Sequence, residues 1–358
     1  MSMLKYPFPA LGLLIAIRCM SAQPPVTIAD HILWEKDFDE LSAEAAVADH
    51  EGNLWIVSQF QGSDRLLCIR RNGEIRLNVE LPLLIKPVYP AENLSSSLAI
   101  SSSGVLALLA RYRHGGKIIY NDGAGFAAID SAGKLGPVKK VAGSGQDYKG
   151  FVALDDGHFL VLGDQSPMVV IKVGGDGGIL WRRTFPRDWV LPSATALVDG
   201  SSCIVSPDYK QPLLHMIWID KKGEVRHRGQ LAGRRSQAAS QGEVCTVLYS
   251  QSASDYRSKY LLTSFDRNFN RAWTVGVLDS APSGGVYNLA AVADGYVVAI
   301  GTHTGLFLAK YSTTGRLLWS ATDPSRMPAS LIVPSGDGYY LVGAGFKDRY
   351  SLHVIRAH

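Results

Sequence analysis

Residues 288–322, NLAAVADGYVVAIGTHTGLFLAKYSTTGRLLWSAT, hold the pattern that decides the fold. Four apolar runs of strand length follow one another, separated by Asp294-Gly295, by a short polar loop and by Thr313-Thr314-Gly315. Turn residues between short apolar runs are typical of consecutive antiparallel strands. The segment therefore predicts one four-stranded antiparallel sheet.

The same pattern recurs along the whole chain. The last residue of the turn before the fourth run stands at 73, 133, 177, 223, 269 and 315, in steps of 60, 44, 46, 46 and 46 residues. Four residues later, three of the repeats carry a tryptophan: Trp181, Trp273 and Trp319. A glycine between the first and second runs is a second landmark, at 52, 104, 157, 200, 242, 295 and 338. Seven such glycines predict seven sheets.

The two ends of the chain complement each other. The seventh repeat has three runs and ends without a fourth, whereas Ile32–Lys36 (ILWEK) matches Leu317–Ala321 (LLWSA) of a fourth run. We therefore expect residues 31–37 to pair into the C-terminal sheet and close a ring. A closed ring leaves no large exposed sheet edge, which is the main liability of an open repeat array.

Four strands per unit at a period of about 40–50 residues is the signature of a β-propeller. The chain resembles the seven-bladed propellers with PQQ-like or NHL-like repeats. Two motifs carry the resemblance: a turn glycine followed by tryptophan, as in residues 315–319, and Asp-Gly followed by alternating apolar residues, as in residues 294–298. The resemblance covers residues 30–358 and implies an all-β fold of seven blades with four antiparallel strands each. Such propellers include scaffolds, signal-binding domains and some enzymes. The Trp-Asp dipeptide of Trp-Asp repeats is absent.

Residues 1–22 have the order of an export signal. Lys5 precedes an apolar stretch at residues 8–17, and the small residues Ser21 and Ala22 follow. This stretch is shorter than the roughly 20 apolar residues that a membrane-spanning helix needs. We therefore predict that residues 1–22 are a signal peptide and that residues 23–358 form a single propeller domain, exported to the periplasm or the cell exterior. A disordered leader on a cytosolic protein is the alternative.

Charge narrows the classes of partner. The chain has 36 basic and 32 acidic residues, and removal of residues 1–22 takes away Lys5 and Arg18 and no acid, which leaves a net charge of +2. So small a charge gives no reason to expect nucleic acid or an anionic membrane as the partner. Charged strand edges resist pairing with other chains. Four pairs of adjacent basic residues are expected at such solvated edges: 70–71, 139–140, 182–183 and 221–222.

Three cysteines remain after removal of the signal: Cys68, Cys203 and Cys245. An odd number is a poor disulfide framework, so we expect buried free thiols. Cys203 and Cys245 each follow a turn glycine, Gly200 and Gly242, by three residues. We therefore expect them at equivalent places in successive repeats, where they would not face each other.

Loop lengths distinguish the two faces of the predicted ring. The first-to-second and third-to-fourth connections are tight turns, whereas the second-to-third and blade-to-blade connections are longer. Binding residues concentrate in long loops on rigid scaffolds, and Tyr, Trp and Arg dominate the energetics of interfaces. Alternatively, each Asp–Arg or Asp–Lys pair in these loops only braces its own loop, worth about 0–1 kcal/mol. The predicted binding rim on the long-loop face consists of Arg113, His114, Tyr148, Trp189, Asp208, Tyr209, Lys210, Asp255, Tyr256, Arg257, His303, Asp348, Arg349 and Tyr350.

The sequence contains no metal-ligand spacing, no phosphate-binding loop and no nucleophile elbow. We therefore expect no metal and no cofactor. The leading hypothesis is a monomeric, non-catalytic protein that binds a protein partner at the rim, with a small molecule or glycan as the second class of ligand. The alternative is a hydrolase or lyase that acts on a carbohydrate or lactone in the central funnel, which needs paired carboxylates. Its candidate groups are Asp122, Asp147, Asp208, Asp255 and Asp348 as acids and His303 or His114 as base.

Overall fold

A computed structural model describes residues 27–38, 42–60, 63–81, 85–87, 98–112, 124–141, 148–163, 167–190, 192–252, 257–282, 287–302, 305–324, 329–344 and 352–358. The predicted signal peptide, residues 1–22, lies outside this part of the chain. Within it, the regular structure is β-strand apart from one turn of 3-10 helix at Ile28–His31.

The strands follow in chain order as β1 (Ile32–Phe38), β2 (Ser42–Ala48), β3 (Leu54–Phe60), β4 (Ser63–Ile69), β5 (Ile75–Glu80), β6 (Ile85–Pro87), β7 (Leu98–Ile100), β8 (Leu106–Tyr112), β9 (Ala124–Ile129), β10 (Lys139–Lys140), β11 (Tyr148–Ala153), β12 (Phe159–Gly163), β13 (Val169–Val173), β14 (Ile179–Thr184), β15 (Ser193–Ala196), β16 (Ser202–Pro207), β17 (Leu213–Ile219), β18 (Val225–Ala232), β19 (Ser236–Gln241), β20 (Val244–Ser252), β21 (Arg257–Phe265), β22 (Arg271–Pro282), β23 (Tyr287–Val292), β24 (Gly295–Thr302), β25 (Gly305–Ser312), β26 (Leu317–Asp323), β27 (Ala329–Ser335), β28 (Gly338–Ala344) and β29 (Leu352–Ala357).

These strands form seven antiparallel sheets, called blades 1 to 7 in chain order. Blade 1 is β2–β5, and blades 3 to 6 are β11–β14, β15–β18, β19–β22 and β23–β26. In blade 2 the first strand is in two pieces, because β6 and β7 pair with opposite ends of β8, and β9 and β10 follow outward. The first strands contact one another in sequence around the ring, and β27 contacts β2. The prediction of a seven-bladed β-propeller is confirmed.

The N-terminal strand closes the ring. β1 pairs antiparallel with β29, from Ile32 opposite Ala357 to Phe38 opposite Leu352, so blade 7 has the order β1-β29-β28-β27. His353 on β29 lies between two carboxylates of β1, and its Nε2 is 3.1 Å from Oε1 of Glu35. The predicted pairing is therefore confirmed, with the strand at Ile32–Phe38 where we expected residues 31–37.

The tight turns explain the repeated glycines. In blade 4, Asp220 Oδ1 accepts hydrogen bonds from the backbone N–H groups of Lys222 and Glu224, and Gly223 takes the left-handed conformation with φ +82°. Blade 5 has Phe269 at the equivalent place, and its φ of +59° shows that the turn keeps this conformation without glycine. The turn geometry is thus common to both blades, although the residue that adopts it differs.

The repeated tryptophans join neighbouring blades. In blades 3, 5 and 7 the indole Nε1 donates to a carbonyl oxygen in the third-to-fourth turn of the next blade, and a Cβ added to the glycine of that turn would lie 2.6–3.5 Å from the ring. A glycine is required there because the indole fills the space that a side chain would occupy. The donor and acceptor residues are Trp34 and Arg71 (2.8 Å), Trp181 and Lys221 (3.0 Å), and Trp273 and Thr313 (3.0 Å).

The three predicted thiols are free and buried. However, Cys203 of blade 4 and Cys245 of blade 5 lie in one apolar cluster between these blades and contact each other. The expectation that they do not face each other was wrong, because Gly200 is the fourth residue of a five-residue turn between Ala196 and Ser202, whereas Gly242 begins a two-residue turn between Gln241 and Val244. A shift of one residue in a strand reverses the direction of every side chain.

Candidate binding surface

Two long-loop segments meet at blade 4. The connection from blade 3 (residues 186–190) lies against the loop between β16 and β17 (residues 207–212). The backbone N–H of Tyr209 donates to the carbonyl oxygen of Asp188 at 2.8 Å, and the N–H of Val190 donates to the carbonyl of Pro207 at 3.1 Å. Trp189 and Asp208 form a β-bridge between the two segments. Backbone pairing therefore fixes one loop against the other.

Asp208 organises the second of these loops. Its Oδ1 accepts hydrogen bonds from the backbone N–H groups of Lys210 (2.7 Å) and Gln211 (3.0 Å), and its Oδ2 lies 3.0 Å from Nε2 of His215 on β17. The hydrogen bond with His215, and then those from the two backbone groups, hold the pKa of Asp208 below its usual range. The carboxylate is largely buried and both its oxygens are engaged, so its role here is to shape the loop.

A column of aromatic rings supports the loops from below. Trp189 stacks on His215 with ring centroids 4.5 Å apart and on Phe185 with centroids 5.6 Å apart, and the interplanar angles are 14° and 7°. The Trp189 side chain is only 6% exposed. The ring therefore packs in the interior. It is not available at the surface, where the sequence analysis predicted it.

Tyr209 is the exposed aromatic residue of this platform. Its side chain is 79% exposed, although the backbone on both sides of it is bound. The neighbouring Lys210 Nζ forms an ion pair of 2.8 Å with Asp188 Oδ1 of the other loop, and this hydrogen bond raises the pKa of Lys210. The ion pair thus crosses between two loops instead of bracing one. We call residues 186–190 and 207–212 with His215 the blade 4 platform.

The other predicted rim residues divide into two groups. Tyr148 is 2% exposed at the start of β11, where burial raises the pKa of its hydroxyl to about 12, and Arg257 is exposed at the start of β21. Burial removes Tyr148 from any contact surface. The remaining members lie outside the described residues: Arg113, His114, Asp255, Tyr256, His303, Asp348, Arg349 and Tyr350.

Sequence reasoning missed His215 of the platform and Phe185, on which Trp189 stacks. A signal for His215 exists in the sequence, because it is the one polar residue in the apolar run LLHMIWI of β17 and it follows Asp208 by seven residues. A hairpin between β16 and β17 brings such a pair together.

The central channel was the site of the alternative, enzymatic hypothesis. A cavity of about 550 Å³ runs along the first strands of all seven blades, and small residues such as Ala46, Ala99 and Ala194 line it. Asp155 lies at the tight-turn end, where burial, and then the charges of Asp156 and Asp199, raise its pKa. Of the acids proposed for catalysis, Asp208 is described and belongs to the platform. Asp122, Asp147, Asp255 and Asp348 are outside the described part of the chain.

No group of three or more His, Cys, Asp or Glu side chains in the described part of the chain has the arrangement of a metal site. Within the same residues, no helix has both the length and the apolar character needed to cross a bilayer.

Comparison with known families and with curated proteins finds no match to the sequence. Solved structures share the fold. The RRP9 WD40 repeats superpose with a TM-score of 0.59 at 12% identity, covering 90% of this chain and 97% of theirs. The Cps50 (Swd1) β-propeller domain of Myceliophteria thermophila gives 0.58 at 11% identity, covering 92% and 99%. BBS1N, solved in complex with ARL6DN, gives 0.58 at 10% identity, covering 91% and 96%.

These similarities support the seven-bladed architecture. They include a protein with WD40 repeats, although the Trp-Asp dipeptide is absent from this chain. The resemblance to PQQ-like or NHL-like repeats stays a prediction.

Proposed function

We propose that this protein is an exported, monomeric, non-catalytic binding protein that engages a protein partner through the long-loop face, with the blade 4 platform as its anchor. The observation that carries the proposal is Tyr209, a 79% exposed tyrosine on a loop held by backbone hydrogen bonds and an ion pair. A tyrosine whose backbone is already ordered loses little conformational freedom on binding, which favours affinity. The structure of BBS1N with ARL6DN provides support, because a chain of the same fold there holds a protein partner.

The charged groups beside Tyr209 suit a polar rim. Lys210 and Asp188 are partly exposed and neutralise each other, so they can exchange their mutual contact for contacts with a partner. Exposed pairs of this kind contribute orientation more than affinity. The partner surface that fits is therefore a pocket for an aromatic ring bordered by both signs of charge.

The test is recovery of partners from the native envelope fraction, identified by mass spectrometry. Tyr209→Ala should reduce recovery of the partner about 30-fold, as expected when an interface anchor worth about 2 kcal/mol is truncated. Tyr209→Phe keeps the ring and should retain most of the recovery. Leu318→Ala, which truncates an exposed apolar residue on blade 6, is the matched control. Equal recovery by Tyr209→Ala and the control would exclude the platform.

Export is tested separately. Fractionation and N-terminal sequencing should find the mature chain outside the cytoplasm, beginning after Ala22. An uncleaved chain in the cytosol would contradict this part of the proposal and leave the platform to be judged by the variants.

A further inference from the structure

The outer strands of three adjacent blades carry only basic charge. β10, β14 and β18 contain Lys139, Lys140, Arg182, Arg183, Arg226 and Arg228 and no acidic residue, and all six side chains are exposed. The outer strands of the other four blades, β1, β5, β22 and β26, contain three basic and five acidic residues. Basic charge is therefore concentrated on one side of the wheel. We call the outer edges of β10, β14 and β18 the basic edge.

Contacts between the blades make this surface continuous. Lys139 Nζ of blade 2 reaches Asp176 Oδ2 in the turn of blade 3 at 3.1 Å. Arg183 Nε of blade 3 donates to the carbonyl oxygen of Gly223 in the turn of blade 4 at 2.7 Å. The three outer strands thus follow one another without a gap.

Part of the basic charge has no acidic partner. Arg226 pairs with Asp220 and Glu224, and Lys139 pairs with Asp176. Among the described residues, no carboxylate forms an ion pair with Lys140, Arg183 or Arg228. Two large apolar side chains, Ile179 (51% exposed) and Leu180 (53% exposed), lie at the centre of the same surface. The basic edge therefore offers unpaired positive charge next to apolar area.

We propose that the basic edge is a docking surface for an extended acidic segment of a protein partner, which adds as a strand beside β18. β18 is the last strand of its sheet, with β17 as its strand neighbour, so its outer backbone groups face away from the sheet. Arg226 is the extra residue of a β-bulge, whereas Arg228 and Gln230 follow in regular pairing and project to the same side of the strand, about 7 Å from each other. A strand with acidic residues at alternate positions matches this spacing and adds main-chain hydrogen bonds.

The same features disfavour other occupants. A second copy of this chain would bring arginine against arginine, and like charges directly opposite are destabilising. An anionic membrane or a nucleic acid offers negative charge but cannot complete the backbone pairing of an edge strand. β18 belongs to blade 4, but the variants that test the basic edge and those that test the platform change different residues, so the two proposals can fail independently.

The test measures binding of a labelled eight-residue peptide of alternating glutamate and threonine to the intact chain by fluorescence polarisation. Arg183→Glu with Arg228→Glu should weaken binding about tenfold or more, because each reversal turns an attractive exposed pair near β18 into a repulsive one. Arg271→Glu with Arg316→Glu makes the same change in net charge on blades 5 and 6 and should leave binding unchanged. Melting temperatures confirm that both variants are folded.

Four further probes separate the possible occupants. A peptide with glutamine in place of glutamate should not bind, and N-methylation of alternate backbone amides in the glutamate peptide should abolish its binding. Either peptide binding as well as the parent overturns the proposal, as does equal binding by the two double variants. Binding of phosphatidylserine vesicles or oligothymidylate without binding of the glutamate peptide also overturns it, in favour of a membrane or a nucleic acid.

Discussion

Trp319 of blade 6 stacks on His31, with ring centroids 4.0 Å apart and an interplanar angle of 11°. In blades 3, 5 and 7 the corresponding indole packs on a third-to-fourth turn of the next blade, as Trp181 does on the turn at Gly223. In blade 7 the fourth strand is β1, which comes from the N-terminal end, so β29 and the fourth strand are not joined by such a turn. His31 takes the place of the turn, and its carbonyl oxygen accepts a hydrogen bond from the N–H of His358 at 3.3 Å. The chain termini therefore reproduce an inter-blade contact that the repeat would otherwise lack.

The contact between His31 and Trp319 should stabilise the fold less in mild acid than at neutral pH. Burial, and then the nearby His358, lower the pKa of His31, and its Nε2 has no hydrogen-bond partner among the described residues. The folded chain favours the neutral ring, whereas the unfolded chain takes up a proton below about pH 6.5. This contribution to stability is complete above about pH 6.5 and is lost as pH falls toward the lowered pKa.

His31→Phe keeps the stack and removes the titration. Urea unfolding at about pH 7.5 and about pH 5.5 should show a smaller loss of stability for His31→Phe than for the wild type. All other titratable groups are the same in both chains, so their contributions cancel in the comparison. Identical pH dependence of the two chains would exclude the role given to His31.

Two glycine variants separate the cost of a clash with the tryptophan ring from the cost of backbone strain. Gly223 (φ +82°) and Gly242 (φ +63°) both have the left-handed conformation, but an added Cβ would lie 2.7 Å from the Trp181 ring at Gly223 and within 4 Å of nothing at Gly242. Gly242→Ala should cost about 1 kcal/mol of unfolding free energy through strain alone. Gly223→Ala should cost about 1–3 kcal/mol more, through the clash. Equal costs in chemical denaturation would show that the indole adapts freely.

The platform should divide into a packing residue and a contact residue. Trp189→Ala removes a buried ring between Phe185 and His215 and should lower the free energy of unfolding by about 3–5 kcal/mol. Tyr209→Ala, at an exposed position, should change it by less than about 0.5 kcal/mol. Comparable losses for the two variants in urea denaturation would contradict this division.

The buried thiols should be unreactive in the folded chain. Burial raises the pKa of Cys68 to about 11, and burial together with the neighbouring Cys245 raises that of Cys203. Thiolate is the reactive form, so modification by a thiol reagent near pH 8 should await unfolding. In urea, the mature chain should react with three equivalents of the thiol reagent, one for each cysteine. Rapid modification without denaturant would show that these sites open.

The repeat made the architecture predictable, whereas the register of individual turns was not. The match of residues 32–36 to residues 317–321 identified the closing strand, because a fourth strand has the same chemistry in every blade. Gly242 looked equivalent to Gly200 in sequence, yet it begins a shorter turn, and this reversed the direction of Cys245. Spacing alone cannot distinguish these turns, because both place a glycine three residues before a cysteine.

The binding rim was predictable in its position more than in its members. Loop length identified the face on which Tyr209 and Lys210 are exposed. Tyr148 and Trp189 have the residue type of interface anchors, but the structure uses them for packing. Their burial depends on residues distant in sequence, such as His215 for Trp189, and a local pattern does not contain that information.

The measurement that tests the central claim most directly is photo-crosslinking in the native cell. A photoreactive phenylalanine derivative at position 209 is expected to give one dominant crosslinked protein, whereas the same residue at the exposed position 314, in the tight turn of blade 6, is expected to give none. Absence of a crosslink from position 209, or the same product from both positions, would contradict a partner bound at the blade 4 platform.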